Sequence, residues 1–196
     1  VGRNRVVGLA RVLRDDVVEC RLGLDDLQLP IRSPADEHRR LRVQHVEVGI
    51  HPTELRSIEE AFEYLSNNAL SIASGVSSPN EIDRLGIVPA IQLAVKRAIQ
   101  SMVLQPQFLL MDAFPIPSIQ IPQKPIVHGD TLCFSIAAAS IIAKVTRDRL
   151  MDEQDALYPE YGFTKHKGYA TKDHIRLLEK HGPSPIHRHS FSPIRN

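Results

Sequence analysis

The most regular alternation of apolar and polar positions lies at residues 53–68, where Leu55, Ile58, Phe62 and Leu65 recur at spacings of three and four. That period predicts an amphipathic helix. Upstream, the first 29 residues hold only short β-branched runs, Val6-Val7 and Val17-Val18, among arginines and acids. They predict a strand or two ending near Gly23. Residues 30–53 carry three prolines in a dense mixture of charges, which predicts an irregular insertion. Downstream of the helix, ALSIASGV (69–76) reads as a strand. Ser78, Pro79 and Glu81 then spell a helix start with a cap, a proline at the first position and an acid three residues on, and VPAIQLAVKRAIQSM continues as a long helix. Phe108–Met111 is an unbroken apolar run bounded by Pro106 and by a proline-rich loop, the form of a strand buried on both faces. A second strand, KPIVHGD (124–130), delivers Asp130 eighteen residues after Asp112, and a helix follows from about Ser135.

Composition narrows the setting. With 196 residues and 42% hydrophobic content, the chain can fill one main core. The formal charge of +1 says nothing about a polyanionic partner, but its distribution does. Tyr161 to Asn196 holds seven Lys/Arg, two Asp/Glu and five of the nine histidines, a surface able to face phosphates, although a solvated face would give the same count. Cys20 and Cys133 stand alone, which suggests neither a disulfide framework nor a zinc site. No apolar run approaches the roughly 18–20 residues that cross a bilayer, and the arginines of the first residues lack the apolar h-region of a secretory signal. The expectation is a cytoplasmic protein without a membrane partner. A start at Val1 is what a piece of a longer protein would show.

Asp112 and Asp130 are the candidate chemistry. In α/β folds, sites gather where strands deliver their last residues, although an aspartate there can equally cap a turn. Ala137, Ala138, Ala139 and Ala143 let the following helix lie close to a sheet, while Ser140, Lys144 and Arg147 fall on one stripe at i, i+4 and i+7. Two carboxylates beside such a stripe suit divalent-metal phosphodiester chemistry, because Mg²⁺ takes few carboxylates and leaves positions for water and substrate oxygens.

HGDTLCFSIAAASIIAKVTRDRLM (128–151), YPEYGFTKHKGYATKDH (158–174) and GPSPIHRHSFSPIR (182–195) closely resemble bacterial ribonuclease HII. SSPNEIDRLGI, LAVKRAI and FLLMDAF fit the same family in order and spacing, so the likeness covers residues 69–195. The resemblance implies an α/β, RNase H-like mixed sheet flanked by helices, with a C-terminal helical segment that grips the duplex. On it, residues 1–68 are a divergent N-terminal part of the catalytic domain, 69–155 the catalytic core and 156–196 the substrate-gripping segment. The family cuts the RNA strand of RNA/DNA hybrids and incises at ribonucleotides embedded in duplex DNA, using Mg²⁺ or Mn²⁺ held by four carboxylates. Asp112 and Asp130 match two of these ligands. Tyr169 matches the tyrosine that packs on the ribose where the 2′-hydroxyl is sensed, and Ser140, Lys144, Arg147 and Lys167 match positions at the phosphates. A monomer is the expected state.

The N-terminal part departs from the pattern. The family's other two ligands open an Asp-Glu-x-Gly-Arg-Gly motif, and no Asp-Glu-x-Gly-Arg occurs here. Val1-Gly2-Arg3 can be laid on x-Gly-Arg, which makes Gly2 and Arg3 nucleic-acid contacts and puts the missing pair just before residue 1; a frame error over residues 1 to about 60 would explain the same facts. Ala113 and His128 also replace a usual glycine and lysine. Two readings therefore stay open. One is a metal-dependent endoribonuclease. The other is an inactive nucleic-acid-binding remnant that lacks two of the four metal ligands and would show little or no cleavage.

Overall fold

The computed structural model describes residues 57–194. Helix α1, Ile58–Asn68, is capped by Ser57, whose side chain accepts from Glu60 N–H at 3.1 Å. The predicted helix is therefore present from Ile58; its expected first turn lies outside the described residues, as do the strands and insertion read over residues 1–53. Helix α2, Pro79–Leu85, begins with the expected capping box: Ser78 Oγ accepts from Glu81 N–H, and Glu81 accepts from Ser78 N–H. Gly86, at φ 83°, separates it from α3, Ile87–Ser101. The expected single long helix is thus two helices, because Gly86 takes a left-handed conformation that an α-helix cannot continue through.

The strand expected over residues 69–76 is not formed; the segment holds one isolated bridge residue, Gly75. The chain there lies against α3. A Cβ on Gly75 would fall 1.9 Å from Ala94 O and 2.7 Å from Ala98 N, and Ala90, Ala94 and Ala98 form the small face that admits this approach. Two hydrogen bonds tie the end of this segment to α3. Ser77 Oγ donates to Ala90 O at 2.7 Å, and Arg97 Nη1 donates to Val76 O at 2.7 Å.

Strands β1, Leu109–Asp112, and β2, Gln123–Ile126, pair in parallel, with Asp112 opposite Ile126. Among the described residues they form a two-stranded parallel sheet, flanked by helices as the expected α/β fold requires. Leu109 and Met111 pack with Val95 and Ile99 of α3 on one face. On the other face, Leu110 and Ile126 meet Cys133 and Ile136. Helix, sheet and helix therefore stack as three layers, as the apolar run through β1 requires. The short helix α4, Gly129–Leu132, leads into α5, Phe134–Leu157. On α5, Ala138 and Ile142 close against Leu65 and Phe62 of α1, and Arg149 lies over the Phe62 ring at 4.4 Å.

Beyond α5 come a 3₁₀ turn, Pro159–Tyr161, and helices α6, Phe163–His166, and α7, Lys172–His181. This is the expected C-terminal helical segment. It has its own small core of Met151, Tyr161 and Phe163, with the Tyr161 and Phe163 rings stacked at 5.3 Å. The tail returns to α2, where Asp83 accepts from His189 N–H at 2.8 Å, from Ser190 N–H at 3.0 Å and from Ser190 Oγ. Among the described residues, no helix is long and apolar enough to cross a membrane.

Candidate active site and nucleic-acid interface

The parallel pairing of β1 and β2 puts their C-terminal ends side by side. Asp112 is the last residue of β1, while Asp130 lies in the first turn of α4, four residues past the end of β2 rather than on the strand itself. Asp112 Oδ1 accepts from Gly129 N–H at 3.2 Å. Since Gly129 directly precedes Asp130, the Asp112 carboxylate lies beside the backbone that carries Asp130, across the proline-rich excursion. A side chain at 129 would crowd the start of α5 and the end of β2: its Cβ would stand 2.5 Å from Ile136 Cδ1 and 3.5 Å from Ile126 Cβ. Both aspartates are exposed, and among the described residues neither carboxylate is engaged in an ion pair.

The backbone on either side of these acids is left-handed at two residues with side chains, Ala113 at φ 66° and His128 at φ 56°. Phe114 N–H donates to Asp112 O at 2.9 Å and Ala113 N–H to Ile126 O at 2.9 Å, a tight reversal that ends β1. On the other flank, His128 O accepts from both Thr131 N–H and Thr131 Oγ1. Two exposed carboxylates, neither in an ion pair among the described residues, are of the ligand type that a hard divalent cation takes. No group of three or more possible metal ligands occurs among the described residues.

The stripe on α5 turns from surface to interior along its length. Ser140 is exposed, and its Oγ donates to Ala137 O at 2.8 Å. Lys144 is half-buried and pairs with Asp148. Arg147 is 5% exposed, which differs from the solvent-facing position that the helical period suggested. The turn joining α6 to α7 folds over it and sets the Tyr169 ring 4.9 Å from its guanidinium. Burial pushes the Arg147 pKa down, against the pull of Tyr169 and Asp148, and its Nε and Nη1 have no hydrogen-bond partner among the described residues. Tyr169 is 39% exposed, so part of its ring stays open to solvent. Lys167, at φ 48°, begins this turn and pairs with Asp152 of α5. Gly2 and Arg3 lie outside the described residues.

Three histidines that nothing in the sequence pattern singled out pack behind Tyr169. His166 and His174 stack at 4.2 Å, and His174 Nε2 lies 3.1 Å from His187 Nε2. Five histidines in the last 36 residues were the visible signal, but a count does not distinguish buried rings from solvated ones. Burial lowers the pKa of His174, and burial with the neighbouring His174 lowers that of His187 to about 4.

Comparison with known proteins matches residues 51–194 to the family model for ribonuclease HII. The ribonuclease HII of Desulfitobacterium hafniense (strain DSM 10664 / DCB-2) is 53% identical over 137 residues, covering 70% of this chain and 53% of that protein. That of Dehalococcoides mccartyi (strain ATCC BAA-2266 / KCTC 15142 / 195) is 49% identical over 138 residues, covering 70% of this chain and 65% of its own. This chain thus spans about half the length of the first of these relatives and under two thirds of the second. Among solved structures, the ribonuclease H2 of Pyrococcus horikoshii OT3 superposes with a TM-score of 0.57 at 20% identity, covering 74% of this chain and 77% of that one. The likeness extends the RNase H-like expectation from sequence to fold.

Proposed function

The chain belongs to the ribonuclease HII family, and from that premise we propose that it acts as a divalent-metal-dependent endoribonuclease on the RNA strand of RNA/DNA hybrids and at ribonucleotides within duplex DNA. The observation that carries this reading is the contact of Asp112 Oδ1 with Gly129 N–H, which seats the Asp112 carboxylate beside the residue preceding Asp130. These two aspartates are the residues that would hold Mg²⁺ or Mn²⁺. When bound, such an ion supplies Lewis-acid activation of the scissile phosphate and of the attacking water.

The chain's other residues bind and orient. Tyr169, backed by the Arg147 guanidinium, offers the exposed part of its ring to a ribose, and the 2′-hydroxyl is the group that tells RNA from DNA there. Lys144 and Lys167 approach phosphates by exchanging their aspartate partners, an exchange of low cost because ion pairs near the surface contribute little. Ser140 lies on the same side of α5. Arg147, being buried, acts through Tyr169. Gly2 and Arg3 would add backbone contacts to the nucleic acid.

The test is cleavage of an end-labelled hybrid and of a duplex carrying one ribonucleotide, with Mg²⁺ or Mn²⁺. Products should end in 3′-hydroxyl and 5′-phosphate, and Asp112→Asn or Asp130→Asn should lower the rate about a hundredfold or more, equivalent to several kcal/mol of lost charge stabilisation. Cleavage indifferent to both substitutions would overturn the assignment of the site. Tight binding of the same duplexes with no metal-dependent product would instead indicate binding without cleavage.

A further inference from the structure

Tyr169 sits in a turn whose backbone is left-handed at both preceding residues, Lys167 at φ 48° and Gly168 at φ 75°. Such a turn does not hold its own shape, and the contacts around it act on the Tyr169 main chain. Its N–H donates to His166 O at 2.8 Å. Its carbonyl accepts from Thr171 N–H at 2.8 Å and lies 2.9 Å from His174 Nδ1.

The partners fix the direction of each proton. A carbonyl can only accept, so His174 Nδ1 carries the hydrogen and its Nε2 is the acceptor. Ser184 N–H donates to His187 Nδ1 at 3.0 Å, so the hydrogen of neutral His187 is on Nε2, aimed at His174 Nε2 3.1 Å away. The bonds run one way, from Ser184 N–H through His187 and His174 to the Tyr169 carbonyl. Ser184, His174 and His187 are all buried, at 5%, 8% and 8% exposure, so no solvent competes for these groups.

We infer that His174 and His187 are positioning residues for recognition of the ribose: His187 selects the tautomer of His174 that can donate to the Tyr169 carbonyl, and this bond fixes where the Tyr169 ring meets the sugar. The inference rests on the reading of Tyr169 as the ribose-facing residue. Without His187, His174 is free to carry its hydrogen on Nε2, and Nδ1 would then present a lone pair to the carbonyl oxygen. Two acceptors 2.9 Å apart repel, and the turn would shift.

The measurement is the ratio of two affinities, for a duplex with one ribonucleotide and for the same duplex in all-DNA form, by fluorescence anisotropy with Ca²⁺ in place of Mg²⁺. A loss of folded protein weakens both affinities together and leaves the ratio unchanged. His174→Ala and His187→Ala should each lower the ratio fivefold or more. His174→Asn, whose amide can donate from the place of Nδ1 and has no tautomer to choose, should return it to within twofold of the parent, and adding His187→Ala to His174→Asn should cost no more. Should the alanine variants fail to fold, His187→Asn retains an acceptor for Ser184 N–H while losing reach to His174, and the same fall is expected. If Tyr169→Ala abolishes the preference while the histidine variants keep it within twofold, the positioning role is overturned and the reading of Tyr169 stands. If Tyr169→Ala leaves the ratio unchanged, that reading fails first and the inference with it.

Discussion

Ala113 has its backbone where a side chain is unwelcome. At φ 66° its Cβ crowds the following carbonyl, a conformation that costs an L-residue roughly 1–2 kcal/mol and that glycine adopts freely. The turn cannot relax, because Ala113 N–H and Phe114 N–H are both committed to the ends of the sheet. Ala113→Gly should therefore stabilise the fold. The gain should be about 0.5–1 kcal/mol once the extra freedom that glycine brings to the unfolded chain is subtracted, and urea denaturation would read it as a higher midpoint at constant slope. Gly129 is the opposite case. Its left-hand neighbour His128 bears the strained angle, while Gly129 itself answers to space, since a Cβ there would press on Ile136 Cδ1 at 2.5 Å. The Gly-Asp pair is thus explained by packing as well as by chemistry.

At the scale of elements, the sequence was most legible where a signal is local. Ser78, Pro79 and Glu81 lie within one turn, and the capping box they predict is present. The apolar run ending at Asp112 likewise becomes a strand covered on both faces. The segment 69–76 was misread because its β-branched and small residues resemble a strand, whereas its fate depends on three alanines of α3 some twenty residues away that accept the Gly75 backbone. The burial of Arg147 was missed for a related reason: helical period gives a face, and only the tertiary fold decides what covers it. Glu81 also has a role beyond its cap. It joins α2 to α3 through two bonds to Arg97, at 2.6 and 2.8 Å, and the hydrogen bond from Arg97 with that from Ser78 N–H draws its pKa from 4.5 to about 2. A depressed carboxylate stabilises above its unfolded value and loses that contribution as pH falls through the folded one. Stability should accordingly decline from pH 4.5 toward 2, and Glu81→Gln should flatten that part of the curve in urea midpoints measured across the range.

For the whole molecule, the buried histidines set a second acid limb, separated from the first. His187 falls from 6.5 to about 4 on folding, mainly through burial, and His174 shifts the same way. The unfolded chain therefore binds more protons between those values, so stability is complete above about pH 6.5 and is lost as pH drops toward 4. His187 alone accounts for on the order of 3 kcal/mol. Thermal or urea unfolding from pH 7.5 to 4.5 should show a steady loss that His187→Gln largely removes. The same region is fastened to the rest of the protein by Asp83, 106 residues before His189 in the chain, which accepts three hydrogen bonds from His189 and Ser190. Burial opposes its ionisation, yet the bonds from Ser190 and His189 prevail and keep its pKa low. The clasp therefore stays shut at any pH at which the histidines are neutral. Limited proteolysis reads that clasp directly: Asp83→Ala should open the backbone around His189 and Ser190 to cutting while the layers around β1 stay resistant.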